Sequence, residues 1–168
     1  MIAQSKITWV VFTLLLCTSP FAAAAKRSEV PQQSGPHIVW NKWAPETFER
    51  AKRENKMLLI SVGIEVCYAC HWMEELTYRD PQVIARVMAD FIPVQVDADN
   101  QPDIGERYSD WAWPATIFMA PDGTQVLALR GNRRPPDFMP ILNQLVTQHA
   151  KGELKADTLA PYAAAPEP

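Results

Sequence analysis

The apolar positions of this chain recur with different periods, and each period predicts an element. Residues 57–62, Met-Leu-Leu-Ile-Ser-Val, form an almost unbroken apolar run that stops at Gly63, which has the length and boundary of a buried strand. Residues 91–96 repeat that pattern and stop at Asp97, but with Pro93 inside. A proline cannot donate to a ladder, so it is expected near the start of the strand or facing an unpaired edge. A third run, residues 116–119, follows Trp113-Pro114 and precedes Pro121-Asp122-Gly123, a hairpin turn signal whose partner strand is residues 126–129. A further short strand is expected at residues 38–40.

Between these runs the spacing changes to three and four. Ala44-Pro45-Glu46 opens a helix, because proline suits the first turn and glutamate its positive end. Phe48, Ala51 and the stem of Arg53 are expected on its inner face, and it ends near Asn55-Lys56. Residues 72–79 read as helix. Asp80-Pro81 starts another, with Val83, Ile84, Val87 and Met88 on its apolar side, and residues 101–108 form a short one. Asp137 is expected to cap a last helix carrying Phe138, Ile141, Leu142, Leu145 and Val146. The order predicts an α/β fold with a central mixed sheet, parallel at first and closed by an antiparallel hairpin, flanked by helices on both faces. No internal repeat is visible.

The two ends fall outside this pattern. Lys6 followed by an apolar run at residues 7–16, the break at Ser19-Pro20 and the small residues up to Ala25 predict a signal peptide over residues 1–25. The run is shorter than the roughly 20 residues of a spanning helix. A lipoprotein site at Cys17 would follow Leu16, which is large for the position before a lipidated cysteine. Residues 26–37 read as a flexible leader, 38–152 as the domain and 153–168 as a mobile Ala/Pro-rich tail. A periplasmic or secreted location is expected after cleavage near Ala25.

Taking 25 residues from 168 leaves 143, enough for one domain with a real core. Losing Lys6 with them moves the formal charge from −3 to −4. A mildly acidic, mixed-charge surface gives no reason to expect nucleic acid or an anionic membrane as partner. The arginines at 130, 133 and 134 read as a solvated loop.

The cysteines change the picture most. Of three, Cys17 would leave with the signal peptide, and the remaining two are spaced Cys67-Tyr-Ala-Cys70. A disulfide across so short a loop constrains the unfolded chain little, so a reactive pair is the better reading than a structural staple. Cys67 lies just past a buried strand and at a helix start, where unpaired N–H groups stabilise a thiolate, the attacking species in disulfide exchange. Cys67 is therefore assigned as nucleophile and Cys70, one helical turn on, as the resolving thiol.

The same segment, Cys67-Tyr-Ala-Cys70-His71, also matches a c-type haem attachment site. His71 would then be an axial ligand, with Met73, Met88, Met119 or Met139 opposite. Cys67, Cys70 and His71 could equally offer three ligands to copper or zinc, with no fourth nearby in sequence. As a modulator, a protonated His71 would favour a neighbouring thiolate. Glu65, Glu74 and Glu75 are candidate proton carriers that solvated charges explain equally well. Pro114 is expected to pack beside the cysteines and to expose backbone for an extended substrate segment, with Trp111 and Trp113 as packing or as a contact rim.

Trp43, Phe48, Ala51 and Lys56, the strand after them, Cys67-Tyr-Ala-Cys-His-Trp-Met-Glu, Val96-Asp97 and Pro114-Ala-Thr-Ile-Phe-Met-Ala-Pro-Asp-Gly123 resemble the thioredoxin-like family. Within it they resemble the branch of spermatogenesis-associated protein N-terminal domains and their bacterial relatives. The resemblance covers roughly residues 40–148. It implies the thioredoxin fold, a cis peptide before Pro114, and thiol–disulfide exchange through Cys67 and Cys70 with protein thiols and disulfides. On it rests the preference for a reductase, and a periplasmic reductase would need electrons from a membrane partner. No bound cofactor or metal, and a monomer, are also expected. Two positions depart from ordinary thioredoxins: Ser61 stands where they bury an acid, and Tyr68-Ala69 where they place Gly-Pro. Besides the enzyme, a haem or soft-metal carrier and a non-catalytic binding module acting through residues 111–114 remain open.

Overall fold

The computed structural model describes residues 35–156. The expected signal peptide, most of the leader and residues 157–168 of the tail lie outside them. Within them β1 (Met57–Gly63) is flanked by β2 (Phe91–Asp97), which it pairs with in parallel from Met57↔Phe91 to Gly63↔Asp97, and by antiparallel β3 (Ala115–Met119). β4 (Gln125–Arg130) completes the order β2-β1-β3-β4, antiparallel to β3, with a register shift at Phe118/Met119. The turn between them is the expected one: Gly123 adopts φ 88°, a left-handed value that glycine takes without steric cost.

A strand paired on both edges with helices on both faces should be apolar throughout, and β1 is buried from Met57 to Val62. Its alternate side chains enter two cores. Leu58, Ile60 and Val62 pack with Phe48, Ala51, Ile104 and Tyr108 under α1 (Pro45–Glu54) and α4 (Pro102–Tyr108). Met57 and Leu59 pack with Val83, Val87, Phe118, Phe138 and Leu142 under α3 (Pro81–Asp90) and α5 (Pro135–Lys151). Each large apolar side chain so buried contributes roughly 1.5–3 kcal/mol. Among the described residues, no helix is long and apolar enough to cross a membrane.

Pro93 lies in edge strand β2, and its carbonyl accepts the N–H of Asn41 at 2.9 Å. Both main-chain groups of a strand residue face the same side, so its missing N–H falls on the outer edge, where β1 does not need it.

Four expectations are corrected. Residues 38–40 form no strand: Asn41 alone bridges to Val94. Its side-chain amide also donates to the Pro93 carbonyl at 2.8 Å, while Ile38 drops into the core, so pairing does not extend. Arg53 is exposed, and Thr47 joins Phe48 and Ala51 on the inner face of α1, as three–four spacing requires. Asp137 does not cap α5; Arg134 holds the N-cap position, Pro135 supplies the first helical φ, and Asp137 lies in the first turn near the positive end. The helix start expected at Cys67 is present as α2 (Tyr68–Trp72), but the helix expected over residues 72–79 runs on as a π-helical turn over Met73–Thr77. The N–H of Tyr78 reaches back five residues to the Met73 carbonyl at 3.0 Å, and Met73, Thr77 and Tyr78 are all buried.

Candidate functional site

β1 delivers the chain to the cysteines. After Gly63 a short bend carries Glu65 and Val66 into solvent, and the N–H of Cys67 returns to the Ile64 carbonyl at 3.2 Å. Cys67 is the N-cap of α2: its backbone is extended, and its sulfur accepts the N–H of Cys70 at 3.1 Å. A serine or aspartate oxygen usually fills this position; a sulfur here satisfies the same orphan donor. Reduced, that sulfur would carry its negative charge against the N–H, which favours the thiolate.

Cys70 sits one turn on, with a Cα–Cα separation of 5.2 Å from Cys67 and a disulfide between them. The two sulfurs differ in access. Cys67 is half-buried, whereas Cys70 is only 7% exposed and lies against Gly63. A Cβ on residue 63 would stand 2.9 Å from the Cys70 sulfur, so the glycine is required for close approach. Sequence reading marked Gly63 as a strand end and missed this role; its signal was a glycine closing a buried strand four residues before the first cysteine.

Cys70 lines a cleft of about 220 Å³ together with Ser61, His71, Glu74, Gln95 and Pro114. One wall is a chain of polar contacts. Gln95 donates to Glu74 Oε1 at 2.9 Å, Glu74 Oε2 lies 3.7 Å from His71 Nδ1, and His71 Nε2 donates to the Glu65 carbonyl at 2.7 Å. A carbonyl only accepts, so that partner assigns the Nε2 proton, and Nδ1 faces Glu74. Gln95, the lone polar side chain in the run at residues 91–96, was not singled out from sequence. Glu75 turns instead to Arg79.

At Ser61, where the resemblance puts a buried acid, the chain places a neutral trio. Tyr78 is fully buried and its hydroxyl lies 3.5 Å from that of Thr116. Burial raises the Tyr78 pKa, and hydrogen bonds from Ser61 and Thr116 oppose the rise without cancelling it.

The Trp113–Pro114 peptide is cis, and Pro114 lines the cleft beside Cys70. Its carbonyl accepts the N–H of Gly131 at 2.8 Å, which ties it to the segment after β4. Ala112, just before, has φ 53° and ψ 173°, a region that L side chains rarely occupy. Trp113 does not line the cleft; with Trp111 and Trp43 it packs against the α1/α4 core. Around Cys67 the surface is apolar: Val66 is 85% exposed, Tyr68 77%, and Trp72 and Leu76 nearly half.

The methionines proposed as haem ligands are engaged elsewhere. Met73 and Met119 lie in opposite cores, Met139 on α5 packs against the α3/α5 core, and Met88 Sδ takes the N–H of Val39 at 3.4 Å. Among the described residues, no group of three or more His, Cys, Asp or Glu could hold a metal ion. Among the described residues, then, neither a methionine nor a cluster of ligating side chains joins the cysteine pair.

Comparison with known proteins agrees with the architecture. Residues 22–156 match the family Thioredox_DsbH, described as "Protein of unknown function, DUF255". The chain is 28% identical over 158 residues to uncharacterized protein B0495.5 of Caenorhabditis elegans, covering 83% of this chain and 21% of that protein. It is 32% identical over 93 residues to human spermatogenesis-associated protein 20, covering 51% of this chain and 12% of that protein. It thus spans a small part of both relatives. Among solved structures, a thioredoxin from Thermus thermophilus superposes with TM-score 0.59 at 24% identity, over 69% of this chain and 95% of that one. A DsbH oxidoreductase superposes with TM-score 0.56 at 16% identity, over 71% and 94%. Both likenesses show the thioredoxin fold.

Proposed function

The chain belongs to the Thioredox_DsbH family, and on that premise we propose that it is an exported thiol–disulfide oxidoreductase that reduces disulfides in other proteins. The observation that carries this reading is the unequal pair of sulfurs. Cys67 is accessible and accepts a helix N–H, while Cys70 is buried one turn away. The Cys67 thiolate attacks a substrate disulfide and forms a mixed disulfide, releasing one substrate thiol. Cys70 then attacks the Cys67 sulfur, the second substrate thiol leaves, and the Cys67–Cys70 disulfide remains.

Protein substrates suit the apolar surface of Val66, Tyr68 and Trp72 around the nucleophile, which would cover apolar residues flanking a substrate cysteine. Pro114, at the cleft beside Cys70, would border the bound segment. Export is supported by the apolar stretch at residues 7–16 and by the absence of any cysteine after residue 25 other than the pair. The reducing direction follows the thioredoxin resemblance, and re-reduction would come from a membrane electron donor. The enzyme would act as a monomer.

Turnover of a protein disulfide such as that of insulin tests the reading. Cys67→Ser should abolish it, and Cys70→Ser should instead trap a mixed disulfide visible by mass. Full activity in Cys67→Ser would end the proposal. For export, the intact mass of protein recovered from the periplasm should begin at Lys26.

A further inference from the structure

Resolution of the mixed disulfide sets Cys70 a problem that Cys67 does not share. Its thiol must lose a proton before it attacks, yet it is buried, and the strand residue sharing its cleft is neutral Ser61. The cleft that Cys70 borders is the place to look for the acceptor. Its titratable lining is Glu65, His71, Glu74 and Asp97. Asp97 is committed to its own turn: one oxygen takes the N–H of Asp99 at 3.0 Å and the other the side chain of Asn100. Glu65 is exposed, and its carbonyl serves to hold His71. Glu75, on the same turn as Glu74, pairs with Arg79. Tyr78 is held neutral by burial and cannot act as a base.

Glu74 is different. Gln95 holds Oε1, which leaves Oε2 on the side of His71 Nδ1. At about 220 Å³ the cleft has room for several water molecules, each of which takes roughly 30 Å³ in the liquid.

We propose that Glu74, positioned by Gln95 and His71, accepts the Cys70 proton through water in this cleft. This rests on the exchange reading above and assigns its second step. The Cys70 S–H bond breaks and the proton passes by water to the Glu74 carboxylate. The Cys70 thiolate then attacks the Cys67 sulfur, the bond between Cys67 and the substrate breaks, and the substrate sulfur departs with the electron pair as a thiolate. The substrate is reduced and the Cys67–Cys70 pair oxidised. Glu74 passes its proton to His71 Nδ1 or to solvent.

The test uses an aromatic disulfide reagent whose thiolate absorbs on release, added to the reduced, processed protein. Cys67 releases one equivalent on attack and Cys70 a second on resolution, so the two steps are timed separately across a pH series. Glu74→Gln should slow the second release about tenfold or more and alter its pH profile, while the first release keeps its rate. Glu74→Asp should recover part of the loss, and His71→Gln should cost less than Glu74→Gln. A second release that is unchanged or faster in Glu74→Gln overturns the proposal, because the carboxylate would then only repel the Cys70 thiolate. Equal slowing of both releases also overturns it, since that is general damage to the site. Failure of the underlying reading is distinct: the first release would keep its rate in Cys67→Ser, where Cys70 is the one thiol left after residue 25, or the unaltered protein would give no second release.

Discussion

Alternate side chains of β1 face opposite cores, and the two sets diverge toward the end of the strand. Leu58, Ile60 and Val62 stay apolar to the last position and are covered by α1, α4 and the tryptophans around them. On the other face Met57 and Leu59 give way to Ser61 and then to Gly63. The first set supplies burial. In the second, side chains shrink and turn polar as the strand nears the cysteines, which makes room for the Cys70 sulfur and opens the cleft. One strand thus anchors the fold on one side and shapes a reactive site on the other, and the two duties should separate by mutation.

The largest expected effect falls on the anchoring face. Ile60 is fully buried with neighbours on every side, so Ile60→Ala should cost about 2–5 kcal/mol in denaturant unfolding. The thiol chemistry of the protein that remains folded should be unaltered, because Ile60 does not line the cleft. A similar loss in exchange rate per folded molecule would mean that the faces are not separable.

Gly63→Ala sharpens the comparison from the other side. The added methyl meets the Cys70 sulfur at 2.9 Å and its Cβ at 3.4 Å, so overpacking should cost roughly 1–3 kcal/mol. The oxidised protein should lose more than the reduced one, because a free Cys70 side chain can rotate away and a bonded one cannot. Unfolding curves recorded with and without reductant decide this; equal losses would place the strain in the strand instead.

The smallest effect is a pH dependence that belongs to the anchoring face. Burial pushes the Tyr108 pKa from 10.0 up to about 12, with Arg107 pulling weakly the other way. A folded value above the unfolded one means that the unfolded chain releases its proton first. Stability should therefore be intact below about pH 10 and fall as pH rises from 10.0 to about 12. Tyr108→Phe should flatten that part of the curve. The fall that remains belongs to Tyr78, whose pKa is also raised by burial on the site face.

Much of this arrangement is legible in the chain itself. The apolar runs at residues 57–62 and 91–96 are strands because nothing else buries such runs between helices at that length. Pro93 marks an edge because it cannot donate, and Pro-Asp-Gly marks the hairpin. Cys67 and Cys70 announce themselves by spacing. The errors fall where a local signal met a tertiary competitor. Asp137 is a good cap by type, but two prolines before it set the helix start. Residues 38–40 have strand composition, yet Ile38 is buried in the core and only the neighbouring Asn41 bridges to β2. The π-helical turn has no periodic signature; it follows from placing Met73, Thr77 and Tyr78 in one core.

The sequence by itself determined the dithiol, the α/β order and the strands that carry it, because spacing, hydrophobic period and backbone-restricting residues act over a few neighbours. Only the tertiary structure decided that Glu74, rather than Glu65 or Glu75, has its carboxylate tied to Gln95 across the cleft from β2. It also decided that Pro114 meets Cys70 while Trp113 packs into a core, and that residue 63 has no room for a side chain. These are contacts between segments distant in sequence. They depend on how strands register and helices pack, and no short window of residues carries that information.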